Sequence, residues 1–203
     1  MKTIPICGID RLRMGTDGQG VRTLILTAGC PLRCRYCINK QTWDGTGPLF
    51  NLSQEQLYQR IRIDDLYFRA TGGGITFGGG EPLSHADFIR SYHERFCVDW
   101  GIDIQTSLNV PQEQFKTLLD HVEHWFVDIK TLNSRIYRRY TGKDPAFAYQ
   151  NLDYLIRHVS PDKYTIRIPF IRSFKSERTA RKEEQYLLGR GVKNVDVFMY
   201  IYA

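Results

Sequence analysis

Apolar runs typical of buried strands recur along the chain from residue 22 onward. They cover residues 22–28, 74–77, 102–106, 125–129, 164–171 and 195–201. Segments with helical spacing of apolar positions separate them, beginning near residues 53, 84, 111, 134, 146 and 177. Strands that alternate with helices predict an α/β fold with parallel strands and right-handed crossovers.

Local signals refine the ends of these elements. Ser53 and Gln56 have the spacing of a capping box, and the helix that they begin runs to about residue 69 with Leu66 on its apolar face. Ser84 is predicted to cap the next helix. Residues 1–21 are rich in Gly and Asp and are predicted to form an irregular lead-in, and residues 1–203 are treated as a single domain.

Composition places the chain among ordinary globular proteins. Its 203 residues are 42% hydrophobic and 25% charged, which is enough for one sizeable core. No apolar run approaches the ~18 residues of a membrane span. The N-terminus also lacks the apolar stretch of a signal peptide. We therefore predict a cytoplasmic protein without a membrane partner.

The formal net charge is +6, with Lys and Arg scattered along the sequence. Two groups stand closer together and are interpreted as solvated helix faces, with attraction of an acidic partner or a nucleic acid as the alternative: Arg135, Arg138 and Arg139, and Lys175, Arg178, Arg181 and Lys182. Because no recognition motif accompanies them, we predict no nucleic-acid partner.

Three cysteines follow the first predicted strand in the spacing C-x3-C-x2-C, at Cys30, Cys34 and Cys37. Thiolates suit iron–sulfur clusters, zinc or copper(I). Three thiolates on a four-iron cluster leave one iron open to a small molecule, whereas electron-transfer clusters and structural zinc sites usually take four protein ligands. The spacing therefore favours a catalytic cluster, with a zinc site or plain thiols as alternatives. Cys7 and Cys97 have apolar neighbours and are predicted to be buried.

A glycine run, Gly78-Gly79-Gly80-Glu81-Pro82, ends the second predicted strand. Glycine allows a backbone to approach a ligand closely because it carries no side chain. By itself such a run is most often a turn, but here it lies one βα unit after the cysteines.

The two motifs together resemble the radical S-adenosylmethionine (SAM) superfamily, and within it the glycyl-radical-enzyme activating group. Further resemblance is carried by residues 17–23 before the first strand, 29–34 in the cysteine loop, 128–130 after the fourth strand and 164–171 in the fifth. It extends over residues 15–200, and the loop at residues 29–40 is similar to the group's cluster loop.

The resemblance implies an open (βα)6 partial TIM barrel. Sites in such barrels form at the carboxyl ends of the strands. The predicted strands, taken without the resemblance, place several polar side chains at or near these ends: Cys30, Glu81, Thr106, Lys130 and Arg167.

The resemblance further implies a [4Fe-4S] cluster held by the three cysteines, with SAM on its open iron. Reductive cleavage of SAM gives methionine and a 5′-deoxyadenosyl radical, which abstracts a hydrogen atom. The residues implied to bind SAM are Tyr36, Gly79, Gly80, Glu81, Thr106, Asp128, Lys130 and Arg167. Solvated charges at strand ends are the alternative for Lys130 and Arg167, and a structural hydrogen-bond acceptor for Asp128. Asp17 and Arg22 are assigned to a substrate glycine loop.

Two departures from the group's pattern are visible. Gln105 stands where the group carries an acidic residue before Thr106, which affects any cation site there. Residues 199–201 read Met-Tyr-Ile in place of Pro-Tyr-His.

The predicted function is therefore a radical SAM activase whose partners are a glycyl radical enzyme and an electron donor such as flavodoxin or ferredoxin. Action on a small molecule, peptide or RNA is the second hypothesis. The third is an iron–sulfur or zinc binding module without catalysis.

Overall fold

The computed structural model describes residues 2–97, 99–171 and 173–200. Its contacts divide the chain into two compact units. The first consists of residues 1–30, 39–105 and 113–124, and the second of residues 31–38, 106–112 and 125–203. The cysteine loop therefore contributes Cys30 to the first unit and both Cys34 and Cys37 to the second.

The first unit is built on five strands in the spatial order β3-β1-β2-β4-β5. Their bounds are β1 (Thr3–Met14), β2 (Val21–Thr27), β3 (Phe50–Ser53), β4 (Gly74–Gly79) and β5 (Gly101–Thr106). Strands β2, β4 and β5 are parallel, and β1 pairs with β2 and β3 in the antiparallel sense. Six of the seven β2 residues are buried, as expected for a strand covered on both faces.

The described residues up to the end of this unit form the helices α1 (Gln54–Ile61), α2 (Asp65–Thr71), α3 (Ala86–Phe96) and α4 (Gln112–Lys116), the last of which begins one residue before its final segment. The capping box of α1 is confirmed, because Ser53 and Gln56 each accept a hydrogen bond from the other's backbone N–H. Three expectations are wrong. The helix that begins after Ser53 does not run to residue 69, because α1 ends at Ile61 and a 3-10 helix (Arg62–Asp64) separates it from α2. Leu66 is 74% exposed, and Ser84 lies inside a 3-10 helix (Pro82–His85) that the Glu81 side chain caps.

In its described part, the second unit contains three parallel strands, β6 (His124–Asp128), β7 (Tyr164–Phe170) and β8 (Val195–Met199). Helices α5 (Ser134–Thr141), α6 (Ala146–His158) and α7 (Glu177–Leu188) connect them. Asn133 and Ser176 cap α5 and α7 through their side chains. No helix in the described part of the chain is long and apolar enough to cross a bilayer.

The predicted α/β class is confirmed. Within the described residues, β2, β4 and β5 in the first unit and β6, β7 and β8 in the second make up the six parallel strands of the predicted (βα)6 succession. The sixth strand ends at Met199, and residue 201 of its predicted range lies outside the described residues. The irregular lead-in is wrong for residues 3–14, which form β1.

Arg22 is a structural residue of the first unit. It is 2% exposed, pairs with Asp103 at 3.0 Å, and donates to the carbonyl oxygens of Gly101 and Gln19 at 3.0 and 2.9 Å. A side chain so enclosed is not available to a substrate loop, so the assignment of Arg22 to substrate is wrong.

We expect Arg22→Met to lower the free energy of unfolding by about 3 kcal/mol, because it leaves the buried Asp103 carboxylate without its cation. Urea denaturation measures this change. Arg62→Met is the control, since Arg62 is exposed and its side chain bonds only to Gln59 among the described residues. Equal stability of the two variants would contradict the structural role.

Candidate functional site

Cys30 follows β2 in the first unit, in a segment fixed by its neighbours. Gly29 adopts φ +89, and its N–H donates to the Thr42 carbonyl at 2.6 Å. The imidazole of His85 lies 2.9 Å from the Ala28 carbonyl. His85 therefore supports the start of the cysteine loop.

The glycine run at the end of β4 is bonded to this same segment. Gly80 N–H donates to Thr27 O at 3.0 Å, and Glu81 N–H donates to Gly29 O at 2.8 Å. The Glu81 carboxylate is 1% exposed and accepts the Leu83 N–H at 3.3 Å. The first unit thus brings Gly79–Glu81 beside the backbone that leads into Cys30.

This close approach requires glycine at residue 80, since a Cβ there would lie 2.2 Å from Gly29 O and 2.8 Å from Thr27 O. We expect Gly80→Ala to cost about 2 kcal/mol of stability, through the backbone shift that an overpacked position forces. Gly8→Ala is the matched control, because its Cβ would meet only Leu26 Cδ1, at an ordinary 3.5 Å. Thermal denaturation of both variants checks the prediction, and Gly80→Ala as stable as Gly8→Ala would contradict it.

In the second unit, the rest of the cysteine loop rests on the carboxyl end of α5. Arg33 N–H donates to Thr141 O at 2.9 Å, and Arg35 N–H donates to Tyr140 O at 3.0 Å. Cys37 N–H donates to Cys34 O at 3.2 Å, which closes a tight turn between the two thiols. These backbone bonds fix the loop without using its side chains.

A charged group made of Asp128, Lys130 and Arg167 lies in the same unit. The Asp128 carboxylate accepts from Arg167 Nε at 2.7 Å and from Lys130 Nζ at 3.2 Å. Arg167 is opposite Asp128 in the β6–β7 register and lies in the middle of β7. Its predicted place at a strand end is therefore wrong, although the ion pair brings its head group to the end of β6.

Burial raises the pKa of the Cys34 thiol to about 11, partly offset by the Lys130 charge. Burial opposes the charge of Lys130, but Asp128 and Cys34 outweigh it and raise the pKa of the ammonium. Lys130 therefore stays positive next to a thiol whose ionised form would be negative. Because a metal binds the thiolate, loading this loop must release protons.

Tyr36, between Cys34 and Cys37, takes part in an aromatic group with Tyr140 and Phe174. Its ring centroid lies 5.8 Å from that of Phe174 and 6.4 Å from that of Tyr140, and the last two are 5.2 Å apart. No sequence signal pointed to Phe174, which comes from the loop after β7.

Lys175 and Glu183 were not recognised from the sequence either. Lys175, which was grouped with solvated charges, is 4% exposed; its Nζ donates to Glu183 Oε2 and to Lys130 O, each at 2.8 Å. Glu183 also accepts from Thr131 Oγ1 at 2.5 Å and from Leu132 N–H at 2.7 Å. This network holds the chain that carries Lys130, and the eight-residue separation of Lys175 and Glu183 is not a recognisable motif.

Gln105 and Thr106, at the end of β5, have different surroundings. The Gln105 amide donates to the Asp17 carboxylate at 2.5 Å in the first unit. Arg13 and Thr16 also bond Asp17, which is 4% exposed. Thr106 Oγ1 accepts the Leu108 N–H at 2.9 Å and is likewise buried. Asp17 therefore lies beside the position that lacks the acidic residue, with Arg13 as its counterion.

The donor set fits an iron–sulfur cluster. All five cysteines are thiols without disulfide bonds, and those of the motif are partly accessible while Cys7 and Cys97 are buried. Within residues 2–97, 99–171 and 173–200, no three His, Cys, Asp or Glu side chains converge as ligands of a single ion. A four-iron cluster does not need such convergence, because each thiolate binds a different iron.

The comparison with known families decides the identity. Residues 24–179, more than half of the chain, match the sequence profile of the Radical SAM superfamily. The chain belongs to the radical SAM superfamily. The predicted [4Fe-4S] and SAM cofactors of this radical SAM protein are thereby confirmed.

Among curated relatives, this radical SAM chain is similar to the pyruvate formate-lyase-activating enzyme of Staphylococcus aureus (strain USA300). The two are 33% identical over 138 residues, which is 64% of this chain and 55% of the relative. The chain therefore spans about half the length of the curated relatives it matches.

Solved structures show the fold of the radical SAM chain. The structure of Streptococcus suis SuiB bound to S-adenosylmethionine gives a TM-score of 0.64 at 15% identity, covering 86% of this chain and 39% of SuiB. QueE from Escherichia coli gives 0.53 at 15% identity, covering 98% of this chain and 95% of QueE.

Proposed function

We propose that the chain is a radical SAM activase that abstracts a hydrogen atom from a glycine of a partner glycyl radical enzyme. The observation that carries this proposal is the 33% identity to pyruvate formate-lyase-activating enzyme, whose name states that it activates another enzyme. Residues 1–203 act as one radical SAM domain, with residues 29–40 as its cluster loop.

Cys30, Cys34 and Cys37 hold the [4Fe-4S] cluster in this proposal. When bound, the cluster supplies the electron that divides SAM into methionine and a 5′-deoxyadenosyl radical. The loop's own contribution is geometric. Backbone hydrogen bonds from Arg33 and Arg35 to the end of α5 fix the chain on both sides of Cys34, and the bond from Cys37 N–H to Cys34 O ties Cys37 to it before loading. Ligands that are already fixed lose less conformational entropy when the cluster binds.

Lys130 and Arg167 provide positive charge for the carboxylate or ribose of SAM. Asp128 holds both, at 3.2 and 2.7 Å, so that neither side chain must be ordered when the cofactor arrives. The Lys175–Glu183 network fixes the backbone of Lys130. Charge-assisted hydrogen bonds of this kind are the stronger ones in proteins.

Gly79, Gly80 and Glu81 line the methionine amino group of SAM in the proposal. Two bonds support this, from Gly80 to Thr27 and from Glu81 to Gly29, because they hold the glycine backbone next to the segment before Cys30. Thr106 closes the end of β5, and Tyr36 packs near the adenine. An electron donor such as flavodoxin or ferredoxin supplies the electron that reduces the cluster. In this proposal the protein acts in the cytoplasm.

The test is glycyl radical formation in a candidate partner. The reconstituted protein, SAM and a reductant are incubated anaerobically with a glycyl radical enzyme whose glycines carry deuterium at Cα. The proposal expects a glycyl radical signal by electron paramagnetic resonance and deuterium in the 5′-deoxyadenosine. A partner with its target glycine replaced by alanine is the control. SAM cleavage without a glycyl radical in any such partner would instead favour a small-molecule, peptide or RNA substrate.

A further inference from the structure

Positive charge is distributed unevenly between the two units. Residues 31–38, 106–112 and 125–203 carry 17 Lys and Arg against 8 Asp and Glu, a net charge of +9. The remaining residues carry 11 Lys and Arg against 14 Asp and Glu, a net charge of −3. The excess of positive charge therefore lies in the unit that contains Cys34 and Cys37.

Two exposed arginines of this unit lie over one aromatic ring. The guanidinium carbon of Arg139 is 4.8 Å from the Phe174 ring centroid, and that of Arg35 is 5.9 Å from it. Among the described residues, neither forms an ion pair with a carboxylate, whereas the neighbouring Arg138 pairs with Asp144 at 2.7 Å. A guanidinium over an aromatic face keeps its full charge and is weakly hydrated, which suits contact with an anionic surface.

This basic aromatic face, defined as Arg35, Phe174 and Arg139, is continuous with the cysteine loop. Arg35 directly follows Cys34, and its N–H is bonded to Tyr140 O at 3.0 Å. The ring of Tyr36, between the two cysteines, lies 5.8 Å from the Phe174 ring. A protein bound to this face would therefore be separated from Cys34 and Cys37 by little more than the ring of Tyr36.

A purely structural explanation accounts for part of this arrangement. Arg139 lies in the last turn of α5, where a positive charge stabilises the helix dipole. Arg35 lies in the cysteine loop, outside any helix, so the dipole does not explain why it covers the same ring. Arg139 Nη2 also donates to the Ser173 carbonyl at 3.1 Å, so local bonds hold its guanidinium over Phe174. What these local contacts leave over, among the described residues, is two exposed positive charges on one ring with no carboxylate partner.

We propose that the basic aromatic face docks an acidic electron-carrier protein. The carrier loses one electron and the cluster accepts it, so no further reactant is needed. The inference rests on the proposed function only in its requirement for a reduced cluster. Complementary charge steers such encounters and raises their association rate.

Binding of oxidised flavodoxin, an acidic flavin protein, to the cluster-loaded chain tests the proposal. We compare the wild type with the double variant Arg35→Gln/Arg139→Gln at low and high salt. The dissociation constant is expected to rise about tenfold in the double variant at low salt, with a weaker salt dependence. The control is Lys163→Gln/Lys193→Gln, which removes two exposed charges just before β7 and β8, and we expect it to bind as the wild type does.

A second readout separates docking from damage to the loop. Reduction of the cluster by flavodoxin hydroquinone is expected to slow in the arginine variant, while reduction by dithionite keeps its wild-type rate. Unchanged flavodoxin affinity in that variant, or an equal loss in the lysine control, would overturn the proposal. So would single-stranded RNA binding the face in place of flavodoxin. If no glycyl radical is found but the flavodoxin results hold, docking stands and only the activase proposal fails.

Discussion

Replacing Cys34 by alanine is expected to abolish the iron–sulfur cluster and reductive cleavage of SAM. The change removes one of three thiolates, and no other cysteine lies in the loop after Cys37 to replace it. Because loss of a group that merely supports a ligand typically costs 10- to 100-fold in metal affinity or activity, loss of a ligand should leave less than about 1% of the wild-type activity. Iron and labile sulfide contents after anaerobic reconstitution, together with 5′-deoxyadenosine release, measure the effect.

Cys97→Ala is the matched control, since it makes the same substitution at a buried thiol outside the motif. Cys97 follows α3 and is 4% exposed. This variant should keep four irons and four sulfides per chain and its full SAM cleavage. A Cys34→Ala protein that retained the cluster would show that the ligands lie elsewhere.

Asp128→Asn is expected to destabilise the second unit strongly. The substitution leaves Lys130 and Arg167 close together without the carboxylate between them, and their side chains are only 14% and 19% exposed. Removing one partner from such a group should lower the free energy of unfolding by about 3 kcal/mol. Urea denaturation at neutral pH measures it.

The pH dependence of this difference provides a further check. Burial by itself raises the pKa of Asp128, but Arg167 and Lys130 outweigh it and hold the pKa below its ordinary value. The carboxylate therefore stabilises the fold above the unfolded value of about 3.9, and the gain is lost as the pH falls through the lower folded pKa. The gap between wild type and Asp128→Asn should accordingly close only in strong acid.

Asp162→Asn is the control for Asp128→Asn. Asp162 pairs with Lys193 at 2.9 Å, but both side chains are more than half exposed. Its loss should change stability by less than about 0.5 kcal/mol. Similar stability of Asp128→Asn and Asp162→Asn would mean that the Asp128 group is solvated like an ordinary surface pair.

The parallel strands could be predicted because each one's own sequence is sufficient to identify it as a buried strand. Residues 22–28 and 125–129 are short, apolar and followed by helical segments, and strands buried on both faces require that pattern. Strand β1 could not be found in this way. It contains Pro5 and Gly8, its register shifts twice, and its stability comes from pairing with β2 and β3.

The candidate site residues likewise fall into those that a local motif reveals and those that depend on contacts formed only in the folded chain. Cysteine spacing and the glycine run are local, so both were visible in the sequence. The roles of Arg22 and Lys175 were missed because each depends on a partner distant in the sequence or without a motif, Asp103 and Glu183 respectively. A charged residue is normally exposed, and only the folded chain shows that these two are paired and buried.

The central claim, that this chain cleaves SAM reductively through its cysteine loop, is tested most directly by 5′-deoxyadenosine release. The protein is reconstituted anaerobically with iron and sulfide and then given SAM and a strong reductant. We predict that the wild type releases 5′-deoxyadenosine and methionine in equal amounts and that Cys34→Ala releases neither. No release from a wild-type protein loaded with four irons and four sulfides would contradict the account.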